Sequence, residues 1–402
     1  MTNASRISVL AAAVAVLPAC LVSTDEYAPK TAAQCQPWEK PCGYKCVSVD
    51  DPATGCGNAS CDPVDTSTDP SHCGACAHAC VLGTTCTLAV CAAESLPRPN
   101  ATELRGIVAW RGDLFWIETS VAPGGALIRW SATGPFAGGS GTFVASGFET
   151  RSGEPSTQHI ATTASFLYVA GSSAASVPTH ELAIWEIDPT STTGSAASVF
   201  YSEAAAGARV DGIAATADGV YFTRADAPAV YFVKRGGVGG VSRTTSPATP
   251  RGLAASGSDV YYGYGGGGVA SLARTDPTLV ETIVSTVGAQ PDRLAVLGSG
   301  ATAQVFFASE VDASAELWTG TSLALLYGGS GPGTGLASRA DIAADAEGAY
   351  FFDAKIGEII EWRADGWVFP LARNVSPRGI AVSGGYVYWT DATSKAVMRV
   401  PK

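Results

Sequence analysis

The chain has 402 residues, of which only 15% are charged, together with 46 Gly, 23 Pro and a formal net charge of −11. Long surface helices need Glu, Lys, Ala and Leu in quantity, so this composition favours short strands joined by many turns. The acidic balance argues against nucleic acid as a partner, because phosphate binding requires clustered Lys and Arg.

Residues 1–19 have the pattern of a signal peptide, with one cation at Arg6 before an apolar core. The core is shorter than the ~20 residues that span a bilayer. It ends in Leu17-Pro18-Ala19-Cys20, which resembles the lipobox of bacterial lipoproteins. That resemblance implies cleavage before Cys20 and lipidation of its sulfur.

These features predict a protein of the bacterial cell envelope, held by a lipid at the outer membrane or the cell surface. Ordinary cleavage, with a fully secreted product, is the alternative. Residues 20–34 would contain the lipidated cysteine and a polar tether without periodicity.

The cysteines indicate a disulfide-rich module over residues 35–91. All eleven precede residue 92, and removal of Cys20 leaves ten for pairing. The ten are Cys35, Cys42, Cys46, Cys56, Cys61, Cys73, Cys76, Cys80, Cys86 and Cys91. Zinc is the alternative for Cys73 and Cys76 with His72 and His78, but a signal peptide favours disulfides, with both histidines at the surface. Residues 69–91 resemble short cysteine repeats of exported proteins in myxobacteria and their relatives, which implies a location more than an activity.

Seven repeat units follow, each opening with a short apolar strand that is succeeded by an aromatic one. The apolar strands contain Gly106-Ile107-Val108-Ala109, His159-Ile160-Ala161, Gly212-Ile213-Ala214, Gly252-Leu253-Ala254, Arg293-Leu294-Ala295, Asp341-Ile342-Ala343 and Gly379-Ile380-Ala381. The aromatic strands contain Leu114-Phe115-Trp116, Leu167-Tyr168-Val169, Val220-Tyr221-Phe222, Val260-Tyr261-Tyr262, Val305-Phe306-Phe307, Ala349-Tyr350-Phe351 and Val387-Tyr388-Trp389.

Units of ~40–50 residues with four strands each predict an all-β fold, a seven-bladed β-propeller over residues 92–402. Six or eight blades remain alternatives, because the first, second and fifth units are long. The last unit ends at Lys402 after three strands. Since a closed ring leaves no open edge, residues 92–96 are predicted to supply the missing outer strand.

The last unit, with Tyr388-Trp389-Thr390-Asp391, closely resembles a YWTD repeat of the lipoprotein-receptor type, and the sixth retains Phe351-Phe352-Asp353. The chain is thus similar to divergent YWTD/NHL-like propellers. This resemblance implies the propeller fold and a tendency to bind proteins or peptides.

Polar residues precede the apolar positions of the first strands and are predicted to converge on one mouth of the central channel. The candidate ligand-binding residues are Arg105, His159, Asp211, Arg251, Arg293, Asp341 and Arg378. The planar guanidinium of arginine binds carboxylates and sulfated or phosphorylated sugars through paired hydrogen bonds. The alternative is that the same residues pair with one another, Arg with Asp of the next blade, and stop the blades slipping.

We find no catalytic pattern in the sequence, such as a Gly-x-Ser-x-Gly elbow. The prediction is a non-enzymatic, envelope-anchored binding protein whose partner is a protein or glycan at the cell surface. The first alternative is a glycan or small-molecule hydrolase or lyase using Asp211, Asp341 or His159. The second is a purely architectural envelope component. No cofactor is predicted, and a structural calcium ion bound in the channel is kept as an alternative.

Overall fold

A computed structural model describes residues 31–402 with short gaps. The gaps are 43–44, 58–59, 81–83, 99, 120–124, 132–135, 137–140, 150–158, 174–181, 191–196, 204–209, 225–226, 237–241, 246–249, 267–268, 276–281, 288–290, 310–313 and 329–341. The predicted signal peptide and Cys20 therefore lie outside the described residues.

Contacts divide the chain into two compact units, and the division falls between Asp65 and Thr66, within the cysteine-rich segment. The first unit holds 3-10 turns at Ala32–Gln34 and Pro52–Thr54, and a hairpin of β1 (Glu39–Cys42) and β2 (Lys45–Ser48). Disulfides join Cys35 to Cys46 and Cys42 to Cys61.

Lys40 is the central side chain of this first unit and is 2% exposed. Its ammonium donates to the carbonyl oxygens of Gly55 and Ser60, each at 2.5 Å. So small a unit buries little apolar surface, so cross-links and a bonded lysine replace a hydrophobic core.

The cysteine-rich part of the second unit contains the hairpin of β3 (Cys86–Thr87) and β4 (Val90–Cys91). Disulfides join Cys73 to Cys86 and Cys80 to Cys91. All ten cysteines are disulfide-bonded, which confirms the disulfide-rich module and leaves no thiolates for zinc.

The two histidines of this part are half-buried rather than surface residues. Nδ1 of His72 accepts from the amide of Ala77 at 3.0 Å, and Nδ1 of His78 contacts the carbonyl of Cys73. Both side chains thus stabilise the turn between Cys73 and Cys80 through contacts with its backbone.

The remaining strands form seven successive four-stranded meanders, here called repeats 1 to 7. Repeats 1 to 3 contain β6 (Glu103–Trp110), β7 (Asp113–Thr119), β8 (Gly125–Trp130) and β9 (Thr142–Glu149); β10 (Ile160–Thr162), β11 (Leu167–Ser173), β12 (Leu182–Ile187) and β13 (Ala197–Glu203); β14 (Val210–Ala215), β15 (Gly219–Arg224), β16 (Ala227–Lys234) and β17 (Ser242–Thr245). Repeats 4 to 6 contain β18 (Arg251–Ser256), β19 (Asp259–Gly266), β20 (Val269–Thr275) and β21 (Thr282–Val287); β22 (Arg293–Leu297), β23 (Gln304–Ser309), β24 (Ser314–Trp318) and β25 (Leu323–Gly328), with a 3-10 turn at Gly300–Thr302; β26 (Ala343–Ala344), β27 (Gly348–Asp353), β28 (Glu358–Arg363) and β29 (Val368–Arg373). Repeat 7 contains β30 (Pro377–Ser383), β31 (Tyr386–Asp391) and β32 (Ala396–Pro401), completed by β5 (Glu94–Pro97).

The prediction of seven separate blades needs correction, because the described repeats lie in six continuous sheets. Five sheets have four strands, while repeats 1 and 2 share one sheet of eight. Their link is antiparallel pairing of β9 with β11, where Phe148 lies opposite Ser173 and Glu149 opposite Ser172. The outer strand of repeat 1 is thus hydrogen-bonded to the second strand of repeat 2.

The predicted ring closure is confirmed by the pairing of β5 with β32. Leu96 lies opposite Val397, and both side chains are fully buried. Arg399 forms an ion pair with Glu94 at 2.7 Å across the same two strands. The closing strand therefore comes from a segment that precedes the first repeat.

The propeller core lies between neighbouring repeats, as the aromatic second strands predict. Tyr261 of repeat 4, for example, packs with Leu294 and Phe307 of repeat 5. Small residues on the first strands allow this close approach. In the described part of the chain, no helix is both long and apolar enough to cross a membrane.

Candidate functional site

The first strands of the repeats surround a central cavity of about 210 Å³. The side chains that line it are mostly apolar and include Ile107, Ile160, Ile213, Leu253 and Ile380. The predicted polar residues stand one or two positions before these side chains, where each first strand begins. The starts of the first strands, near which the described members of this set lie, are here called the channel entrance.

A β-bulge opens the first strand in four repeats, a feature that the sequence analysis did not predict. The strand register shifts between Arg105 and Ile107, between Val210 and Gly212, between Arg251 and Leu253, and between Pro377 and Gly379. A bulge re-aims the side chain beside it. The glycine that precedes the apolar residue in each of these strands is the sequence signal that could have revealed it.

Two of these glycines bring the backbones of successive repeats into contact at the entrance. A Cβ on Gly252 would lie 2.5 Å from the carbonyl oxygen of Asp292, and one on Gly379 would lie 2.9 Å from the amide nitrogen of Ile107. The start of repeat 4 therefore abuts that of repeat 5, and the start of repeat 7 abuts that of repeat 1. This contact brings the positions of Arg378 and Arg105 next to each other.

Three of the predicted arginines have partners, two in ion pairs and one in a hydrogen bond to a backbone carbonyl. Arg251, with its side chain 46% exposed, forms an ion pair with buried Asp292 of the next repeat at 3.1 Å. Arg105 is buried and pairs with Glu103 on its own strand at 2.8 Å. Arg293 is buried and donates to the carbonyl oxygen of Asp292 at 2.8 Å. The pairing alternative thus accounts for part of the ring.

The other predicted residues differ in position. His159 is buried and Asp211 is half-buried, and both interact with other residues. Asp341 lies outside the described residues. Arg378 is half-buried, and its Nε is buried without a hydrogen-bond partner among the described residues. A buried guanidinium nitrogen without a partner is costly, so Arg378 is one ring member that would gain from donating to an external acceptor.

The acidic residues of the YWTD-like motif have a structural role. The Asp391 carboxylate accepts from the amides of Ser376, Thr393 and Ser394 at 2.7–3.1 Å. Asp353, at the corresponding place in repeat 6, accepts from the amide of Lys355 and from the Tyr327 hydroxyl, each at 2.9 Å. Both carboxylates accept from amides of the turn after the second strand, so the motif stabilises the local structure.

Buried tyrosines on the sheets have raised pKa values. Burial and a hydrogen bond to Glu186 raise the pKa of Tyr168, and burial with nearby Glu361 and Asp345 raises that of Tyr350. Burial and a hydrogen bond to Asp353 raise the pKa of Tyr327 to about 12. These hydroxyls stay protonated at neutral pH and serve as structural donors.

No protein-family model and no curated protein sequence matches the chain. Solved structures similar to it include a streptogramin B lyase, with a TM-score of 0.56 and 14% identity, covering 77% of this chain and 97% of that one. Virginiamycin B lyase from Staphylococcus aureus gives a TM-score of 0.55 and 12% identity, covering 77% and 99%. The WD40 β-propeller domain of Doa1 gives 0.50 and 12%, covering 77% and 97%. At these identities the similarity shows the β-propeller fold alone.

Proposed function

We propose that this chain is a non-enzymatic, envelope-anchored binding protein whose channel entrance takes an anionic group of a cell-surface partner. The propeller supplies a rigid platform, and Cys20 supplies the lipid anchor. A propeller is also the fold of the WD40 domain to which the chain is similar. The ligand group in this proposal is a carboxylate or sulfate, which a guanidinium binds through two parallel hydrogen bonds.

The observation that carries the proposal is the state of Arg378. Its Nε is buried and lacks a hydrogen-bond partner among the described residues, whereas Arg251 is compensated by Asp292. The contact between Gly379 and the backbone at Gly106 and Ile107 places a second arginine position, Arg105, beside it. An incoming anion would gain a charged hydrogen bond from the Arg378 guanidinium.

The test measures binding of oligogalacturonate, which carries carboxylates, and of a heparin oligosaccharide, which carries sulfates. Arg378→Ala is expected to weaken binding of the preferred probe by about tenfold, since a hydrogen bond to a charged group contributes ~1.5–3 kcal/mol. Higher salt should weaken binding by the parent more than binding by the variant.

Arg251→Ala is the matched control, because it removes an arginine of the same entrance whose charge is already paired. It should change the affinity by less than Arg378→Ala does. The proposal is wrong if the parent binds neither probe, or if a folded Arg378→Ala variant binds as tightly as the parent.

A further inference from the structure

An aromatic platform lies on repeat 6, away from the channel entrance. The Trp367 and Phe369 rings are stacked with an interplanar angle of 7° and centroids 6.0 Å apart. Trp367 is 64% exposed, which is a large exposure for an indole on the outer turn of a propeller. Phe369 is thus stacked against the indole, which itself remains largely exposed.

The platform is at the opposite end of the strands from the arginines. Trp367 follows the turn between the third and fourth strands of repeat 6, whereas Arg378 stands at the beginning of a first strand. In an up-and-down meander the third strand runs parallel to the first. The turn that follows the third strand is therefore on the face away from the first-strand starts.

Polar groups surround the platform. The Arg363 guanidinium lies 4.7 Å from the centroid of the Phe369 ring and bonds to Glu361 at 2.9 Å. The Asp365 carboxylate accepts from the Trp367 amide at 3.0 Å. The Ala364 amide donates to the backbone carbonyl of Glu347, whose exposed carboxylate forms an ion pair with Lys402 at 3.0 Å. A flat ring among exposed carboxylates and a guanidinium differs from an apolar protein-binding pocket, which excludes polar groups from its centre.

We propose that the Trp367 platform is a glycan-binding site for β-linked pyranoses of the gluco configuration. In such a sugar the axial C–H bonds form a flat apolar face that fits over the indole. Its hydroxyls are equatorial and point outward from the ring edge, where the exposed Asp365 carboxylate is the proposed acceptor and the Arg363 guanidinium the proposed donor. The site is separate from the proposed anion site and does not depend on it.

The experiment titrates the full chain with cellohexaose and follows binding by saturation-transfer NMR and affinity electrophoresis. Trp367→Ala is expected to weaken binding by about tenfold or more, as truncation of a stacking aromatic does elsewhere. Because Trp367 is exposed, we expect the variant to keep the fold, and the thermal unfolding midpoint checks this. Phe369→Leu, which removes the second ring, is expected to weaken binding by a smaller factor.

Trp38→Ala is the matched control, because Trp38 is 63% exposed but lies in the first unit. It should leave cellohexaose binding unchanged, and so should Arg378→Ala. The proposal is overturned if the parent does not bind cellohexaose at millimolar concentrations, or if binding survives Trp367→Ala. If the parent binds cellohexaose but neither anionic probe, the proposal for the channel entrance is wrong and the proposal for this platform stands.

Discussion

Tyr327 illustrates how single side chains make the fold sensitive to high pH. Its hydroxyl donates to Asp353 at 2.9 Å, and its pKa is raised from 10.0 to about 12. A raised folded-state pKa means that the protonated form is favoured in the native protein. The resulting stability is fully present below pH 10 and is lost as the pH rises towards 12.

We therefore expect the free energy of unfolding to fall between pH 10 and pH 12. Tyr168 and Tyr350 shift in the same direction and should add to the decline. Denaturant titrations across this range measure the slope, and Tyr327→Phe should reduce it. An identical slope in parent and variant would show that the Tyr327–Asp353 pair does not contribute.

Sequence reasoning found the polar residues at the channel entrance but not which of them are compensated. Arg251 and Asp292 are far apart in the chain and become partners only when repeats 4 and 5 are adjacent in space. Arg105 pairs with a residue two positions away, yet only the strand geometry puts Glu103 within reach. Whether the buried Nε of Arg378 finds a partner depends on the neighbouring repeats, so no local sequence pattern reveals it.

At the scale of elements, the bulged start of the first strand controls how closely the repeats approach. Gly252 has a φ of +55°, and a Cβ there would lie 2.5 Å from a backbone oxygen of the next repeat. Gly252→Ala should therefore cost about 2–4 kcal/mol, from the left-handed conformation and the clash together. Urea denaturation of parent and variant measures the difference.

Gly257→Ala separates the two contributions. Gly257 lies in the same repeat with a similar φ of +64°, but its added Cβ would meet only Ser299 at an ordinary 3.6 Å. Its cost should be close to the conformational term alone, about 1–2 kcal/mol. If both variants lose the same free energy of unfolding, the contact between repeats 4 and 5 does not contribute to stability.

The strands themselves were largely predictable, because small apolar and aromatic runs alternate with turn residues along the repeats. The pairing of β9 with β11 was not. In this pairing Phe148 lies opposite Ser173 and Glu149 opposite Ser172. None of these four residues belongs to the apolar or aromatic runs that define the repeats. Two repeats merge into one sheet through backbone hydrogen bonds, and such bonds leave little trace in side-chain identity.

For the whole molecule, ring closure makes the stability of the last repeat depend on residues that precede the first. The sequence revealed this because a three-stranded last unit leaves an unpaired edge. Leu96 on β5 is fully buried beside Val397 and packs with Ile107, Trp116 and Tyr388. These contacts tie β5 to repeats 1 and 7 together.

Leu96→Ala should consequently lower the free energy of unfolding by about 2–5 kcal/mol. It should also loosen the contacts of β5 with both repeat 1 and repeat 7. We expect hydrogen exchange to accelerate in β6 of repeat 1 as well as in β30–β32 of repeat 7, because β5 stabilises both. Leu325→Ala is the matched control: the same residue type, on the outer strand β25, but 57% exposed. Its loss of stability should stay within about 0.5 kcal/mol. Faster exchange confined to β32 after Leu96→Ala would mean that β5 only covers an edge and does not close the ring.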